Sequence, residues 1–364
     1  MKNIFGNNIT LTLFGESHGD SIGVVIDGIA PGLPIDEKII SDLLSKRRPS
    51  SLMDTPRQEK DNFKILSGVF NQHSTGTPIC IVIPNENTKS KDYNYGLARP
   101  SHADYSANCK YHGFEDYRGG GHFSGRITAA IVAAGGIFIP ALENKGIKIA
   151  THILQCKDAY DDSFNFLYPE KQIELLKKSD FPVINKDKEK EISEKILNAR
   201  ENCDSVGGVT QTAIAGLMPG LGEPWFDSIE SLISHAMFSL GGIKGIDFGK
   251  GFGFANENAS TCNDQLRIVD NKPTTLTNNN AGINGGISNG MPIIFQCAVK
   301  PTPSISQAQK TIDFCKNENA DIQIQGRHDP AIIRRICPVI DSLTAFVICD
   351  LISTRFGTDF LAKK

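Results

Sequence analysis

The stretch "GRITAAIVAAGGIFIPALENKG" (residues 125–146) reads as a largely buried helix, rich in Ala and Gly. A helix apolar on every side belongs inside a fold rather than on its surface. It follows directly on a segment of opposite character, "RPSHADYSANCKYHGFEDYRGGGHFS" (residues 99–124), crowded with His, Arg, Asp and Ser and carrying three consecutive glycines. Backbone N–H groups at a helix N-terminus, with Ser124 and Arg126 beside them, make an anion site. The glycine run is not a Walker loop, whose GK[ST] ending is missing, and not the GxGxxG of a dinucleotide fold.

Around this centre, "SIGVVID" (21–27) reads as a strand, and "DEKIISDLLSKRR" (36–48) as a helix capped by Asp36 with Ile39, Ile40, Leu43 and Leu44 on one stripe. "FKILSGVF" (63–70) and "PICIVIP" (78–84) read as strands. The most charged part, 157–202, is expected to be a solvated helical surface. Beyond it come a strand in "VGGVTQTAIAGL", a helix at 226–240 and a strand at 291–300. In "GRHDPAIIRRICPV", Asp329 followed by Pro330 has the form of a helix cap and first turn, and Pro338 is expected to kink that helix. No repeat or low-complexity linker divides the chain, so one mixed α+β domain over residues 1–364 is expected.

Composition narrows the function. The 364 residues carry a formal net charge of -3, with 40% hydrophobic and 22% charged residues. Nothing global points to nucleic acid or an anionic membrane, so any basic site is local and suits a small anion. The nine Cys are an odd number with no CxxC pair, and the N-terminal residues have no apolar signal core. A reducing compartment, the cytoplasm, with free thiols and no metal site is the expectation.

Four loop segments carry the chemistry. In "FGESHGDS" (14–21), His18 lies between glycines and can act as acid or base near neutral pH. "KRRPSS" (46–51) adds Arg47 and Arg48. In "RPSHADY", His102 and Asp104 would share one face of a strand, a His held by a carboxylate or a surface pair. In the last segment Arg334 and Arg335 are about 100° apart on a helix, so one is expected to reach a ligand and the other to lie at a surface or subunit contact.

Taken in order, "FGESHG", "RRP", "RPSHADYS", "KYHGFEDYRGGG", "GR", "NAGINGGISNG", "KPTPSIS" and "GRHDP" resemble the chorismate synthase family over nearly the whole chain, with only general agreement at 157–202. That resemblance implies a mixed β-α-β sandwich assembled as a homotetramer. It implies a lyase of the shikimate pathway, converting 5-enolpyruvylshikimate 3-phosphate to chorismate and phosphate by 1,4-anti elimination. Reduced FMN is required without net redox change.

Carried over position by position, His18 protonates the departing phosphate, His102 supports the reduced flavin, and Asp329 takes part in removing the ring proton, relayed through the flavin's N5. As a helix cap, Asp329 is expected to have a low pKa. Arg47, Arg48, Arg126 and Arg334 hold the substrate anions. FMN contacts fall on His122, Phe123, Ser124, Gly241, Gly242, Gly285, Lys300, Pro301, Thr302, Pro303, Ser304 and Arg327.

Two departures stand out. "HFSGRIT" (122–128) replaces the more common Arg-Ser-Ser-Ala-Arg-Glu-Thr, and "LGG" (240–242) a more common Asn-Ala. Met53 occupies a place where an Arg linked to the nicotinamide phosphate is frequent. The expectation is a monofunctional type, with NADPH only an indirect reductant and reduced flavin coming from an external reductase. Residue by residue, the rivals are a flavin-independent phosphate-ester lyase or transferase and a non-catalytic anion-binding oligomer.

Overall fold

The structure is a computed structural model, and it describes residues 2–55, 57, 59–88, 94–324 and 329–362. Two antiparallel sheets enclose its helical centre, and the helix Glu170–Lys177 covers the far face of the second. The first has the strand order Ile4–Phe5, Thr10–Gly15, Ser21–Asp27, Ile79–Pro84, Lys64–Ser67. Alternation decides which face turns inward: Ile22, Val24 and Ile26 are buried opposite Ile83, Ile81 and Ile79. The second sheet runs Ile243–Phe248, Ile293–Val299, Gly208–Ala215, Lys148–Cys156, Ala159–Tyr160.

Between the sheets lie two helices. The central helix, Thr128–Glu143, packs on the first sheet and on the helix Glu37–Arg47. The C-terminal helix, Ile333–Phe356, packs on the second sheet and on the central helix. The order of layers is sheet, helix, helix, sheet, and one hydrophobic core runs through all of them.

Two glycines make the helix contacts close. A Cβ on Gly135 would lie 2.1 Å from Ser342 Oγ, and one on Gly136 would lie 2.6 Å from Ile40 Cγ1. The central helix and the C-terminal helix are each long and apolar enough to cross a bilayer, but the sandwich buries 78% and 94% of those segments.

The sequence reading holds for most elements and fails at three places. The 63–70 stretch is two strands, because Gly68 takes φ +80 and turns the chain: Lys64–Ser67 pairs with Ile79–Pro84, Val69–Phe70 with His73–Ser74. His102 and Asp104 are not on a strand, since Asp104 opens the helix Asp104–Tyr111. The C-terminal helix starts at Ile333, after an Ile332 that provides no side-chain cap; the carboxylate of Asp329 is engaged by Arg335 instead. Pro338 lies inside that helix, where its missing N–H costs one bond in the first two turns.

The 157–202 region is a helical surface, with Glu170–Lys177 and Lys186–Glu201 laced by pairs such as Lys188–Glu191 at 2.9 Å. A buried cluster anchors it: Asp161 accepts from Ile184 N (2.6 Å) and Asn185 N (2.9 Å) and pairs with His152 Nδ1 (2.9 Å).

Candidate active site

The three consecutive glycines form a wall between two histidines. Gly119, Gly120 and Gly121 all have positive φ, a conformation side chains resist. A Cβ on Gly119 would stand 2.6 Å from His18 Nε2, and one on Gly120 would stand 3.2 Å from His102 Cε1. Ser17 N donates to Gly121 O (3.0 Å), which draws the His18 loop under the wall. Ser17 and His18 are therefore buried, although their polar stretch reads as a surface loop.

Burial pushes the His102 pKa below the usual value, against the hydrogen bond to Asp104 that raises it. Its Nδ1 lies 2.8 Å from Asp104 Oδ1 and 3.1 Å from Arg99 Nη2. Arg99 grips the same carboxylate with Nε (2.8 Å) and Nη2 (2.7 Å). Burial works to raise the Asp104 pKa, but the hydrogen bonds from Arg99 and His102 outweigh it and hold the carboxyl far below its usual range. An open cleft of about 810 Å³, walled by Tyr95, Phe123 and Phe314, reaches His102.

On the other side of His18 lies a network of arginines and carboxylates. Asn85 Nδ2 donates to Glu16 O (2.9 Å) and Gly19 O (2.8 Å), bracketing the His18 loop. Arg126 Nε donates to Asn85 Oδ1 (2.9 Å), and its Nη1 to Asp61 Oδ1. Asp61 Oδ2 takes Arg47 Nη2 at 3.3 Å. Arg335 Nε donates to Arg47 O (2.9 Å), and its Nη1 to Asp329 Oδ2. Charged and polar contacts thus run without a break from His18's loop to Asp329.

Asp329 behaves as a buried acid rather than a cap. Burial raises its pKa to about 6 in spite of Arg335, and the neighbouring Asp54 adds to the rise. This overturns the low pKa expected of a helix cap. Its Oδ1 is buried without a hydrogen-bond partner among the described residues, as are Arg47 Nε and Arg334 Nε. Arg334 Nη2 donates to Asp54 and to Ser50 Oγ (3.1 Å). Both Arg334 and Arg335 therefore turn inward, and neither is the surface residue their helical spacing suggests.

Arg48 is set apart, half-buried, with Nη1 on Lys60 O (2.7 Å).

Of the residues assigned to FMN, several gather on one side of His102. Lys300 N donates to Gly242 O (2.9 Å), and Lys300 Nζ to Ser101 O (2.7 Å). Ser304 Oγ lies 3.5 Å from Arg99 Nη1. A flat, phosphate-bearing ring fits this corner: Gly241 has open space where a Cβ would stand, and Gly242 has φ +104. The Thr302 hydroxyl is buried and without a partner among the described residues. Burial, then the charge of Lys244, lowers the pKa of Lys300, so an anion there would relieve two crowded cations. Pro301 and Pro303 hold that strand exit extended.

His122 Nδ1 donates to Gly15 O (2.8 Å), the half-exposed Phe123 ring stands edge-on to Tyr111, and Ser124 Oγ accepts from Arg126 N (3.2 Å). Gly285 takes φ +62 in the turn between Ile283–Asn284 and Ile287–Ser288, with open space where a Cβ would stand, while its neighbour Gly286 packs against Gly222 and Ser228. Arg327 lies outside the described residues.

The reading of the sequence passed over Asp54, Asp61, Asn85 and Arg99. A signal existed for the first two: "DTPRQEKD" (54–61) places five charged residues within eight positions.

Fold and site together define an α+β sandwich whose loops bring two histidines, a cluster of arginines and a buried carboxylate together. The model of the "Chorismate synthase" family matches residues 9–353. A chorismate synthase of Methanobrevibacter smithii is 42% identical, covering 96% of each chain, and one of Methanococcoides burtonii is 41% identical, covering 96% of this chain and 95% of its own. A solved structure described as a crystal structure of chorismate synthase superposes with a TM-score of 0.77 at 27% identity, over 97% of this chain and 94% of its own. The chain belongs to the chorismate synthase family, and with it to the enzymes of chorismate biosynthesis.

Proposed function

We propose that this chain eliminates phosphate from 5-enolpyruvylshikimate 3-phosphate to give chorismate. The observation that carries the reading is the continuous polar path between His18's loop and Asp329, with Arg126 and Arg47 along it. A 1,4-elimination needs an acid where the leaving group departs and a base where the ring proton is lost. Between them it needs cations for a substrate bearing a phosphate and two carboxylates.

His18 donates a proton to the departing phosphate oxygen as the C–O bond breaks. Asp329, ionised above its pKa of about 6, receives the ring proton as the new double bond forms. A base with a pKa near the working pH combines availability with driving force. Arg47, Arg126 and Arg334 hold the anions, with Arg48 at the rim. His102, oriented by Asp104 and with its pKa lowered by burial, faces the cofactor corner. Gly241, Gly242, Lys300, Thr302 and Ser304, with His122, Phe123, Ser124, Gly285 and Arg327 completing the assignment, would hold reduced FMN, which when bound would supply electron density that assists phosphate departure.

Met53 supports a monofunctional enzyme that receives its reduced flavin from another source. A cytoplasmic homotetramer is the assembly proposed, and the exposed Trp225, Phe226 and Phe252 support association between copies.

The test is an anaerobic assay of the purified chain with dithionite-reduced FMN and the enolpyruvyl substrate, read at chorismate's absorbance. Chorismate formation that depends on flavin is expected. Phosphate release without flavin would favour a flavin-independent lyase. Turnover with NADPH and oxidised FMN alone would overturn the monofunctional reading.

A further inference from the structure

Asp61 has no part in the proton transfers, yet two of the arginines depend on it. Its side chain is wholly buried, and its two oxygens are divided between Arg126 Nη1 and Arg47 Nη2. The outer faces of both guanidinium groups are fixed independently. Arg126 Nη2 donates to Pro84 O (3.0 Å), and Arg47 Nη1 to Gly125 O (3.4 Å) and Thr128 Oγ1 (3.3 Å).

Two cations side by side in a dry interior repel. Burial lowers the pKa of Arg47 to about 10, with Arg335 and Arg126 adding to the fall and Asp61 the main influence against it. The backbone of Asp61 is left-handed, φ +53, a conformation that Asp and Asn accept better than other side chains.

We propose that Asp61 is the positioning residue of the substrate-anion site. It holds Arg47 and Arg126 at a fixed separation, so that their remaining N–H groups converge on one phosphate or carboxylate. This rests on the reading of those two arginines as substrate-holding residues. Charge alone argues the other way: a buried anion beside the site repels an anionic substrate, and its removal would tighten binding. Positioning and charge therefore give opposite signs.

The experiment uses the full chain with inorganic phosphate as the probe, by titration calorimetry, alongside KM and kcat for 5-enolpyruvylshikimate 3-phosphate with reduced FMN. Asp61→Asn keeps the shape and tolerates the backbone, but replaces one accepting oxygen by a donor that repels a guanidinium. Phosphate affinity is expected to fall by roughly tenfold to a hundredfold, and KM to rise by a similar factor while kcat changes less than about threefold. Asp61→Glu keeps the charge but moves the carboxylate by one methylene, and is expected to lose affinity as well.

Unchanged or tighter phosphate binding by folded Asp61→Asn overturns the proposal, as does wild-type protein that binds no phosphate. Should Asp61→Asn fail to fold, Asp61→Glu decides, and wild-type affinity there overturns it. If the wild type makes no chorismate but Asp61→Asn still weakens phosphate binding, the positioning role stands and the reaction reading falls.

Discussion

Gly119→Ala tests whether the glycine wall exists to give His18 its place. The new Cβ would stand 2.6 Å from His18 Nε2 and 3.0 Å from Ser17 Oγ, where ordinary contact begins near 3.4 Å. The backbone cannot yield, because Ser17 N is bonded to Gly121 O. The imidazole must therefore retreat by about 1 Å, and a displacement of that size at a reacting group costs about 10²-fold in rate. A second cost falls on stability: alanine in a left-handed conformation loses about 1–2 kcal/mol.

Gly146→Ala separates the two. Gly146 has the same kind of φ, +76, with nothing within 4 Å of a new Cβ. Both variants are expected to lose about 1–2 kcal/mol in a urea melt, while only Gly119→Ala loses turnover in the anaerobic chorismate assay. Gly119→Ala retaining more than about a third of the wild-type rate would refute the reasoning, and so would equal rate losses in the two variants.

Asp329→Asn is expected to lower kcat by about 10²-fold or more while making the protein more stable at pH 7.5. The folded pKa, about 6, lies above the 3.8 of an unperturbed aspartate, so the ionised carboxylate is a penalty. That penalty is absent below about pH 4, develops between pH 4 and 6, and is full above, at about 3 kcal/mol; urea melts across that range check the sign. Asp341, buried and raised to about 7, is expected to show the same trend, so that Asp341→Asn stabilises above pH 7 at unchanged activity. Asp104→Asn removes the influence that raises the His102 pKa, so NMR titration is expected to find that ring still harder to protonate, with turnover reduced tenfold or more. In the core, Gly135→Ala meets Ser342 at 2.1 Å and is expected to cost about 1–3 kcal/mol in a urea melt, with partial recovery in the double variant with Ser342→Gly.

Local pattern made much of this protein legible. The central helix, the strand Ser21–Asp27 and the Asp36 cap of the helix Glu37–Arg47 follow from periodicity and capping, which neighbouring residues determine between them. His18, His102 and Asp329 stand out because ionisable groups on glycine-rich backbone cannot fill a core. Tertiary structure alone decided how these groups behave. Asp329 reads as an ionised cap, but the fold seals it beside Arg335 and Asp54, and desolvation moves its pKa upward. Asp61 reads as one more charge in a polar loop, but it ends up dry between two arginines 14 and 65 residues away. Burial, and the contacts made by Asp54 and Arg126, depend on groups far apart in the chain, beyond any short window of sequence.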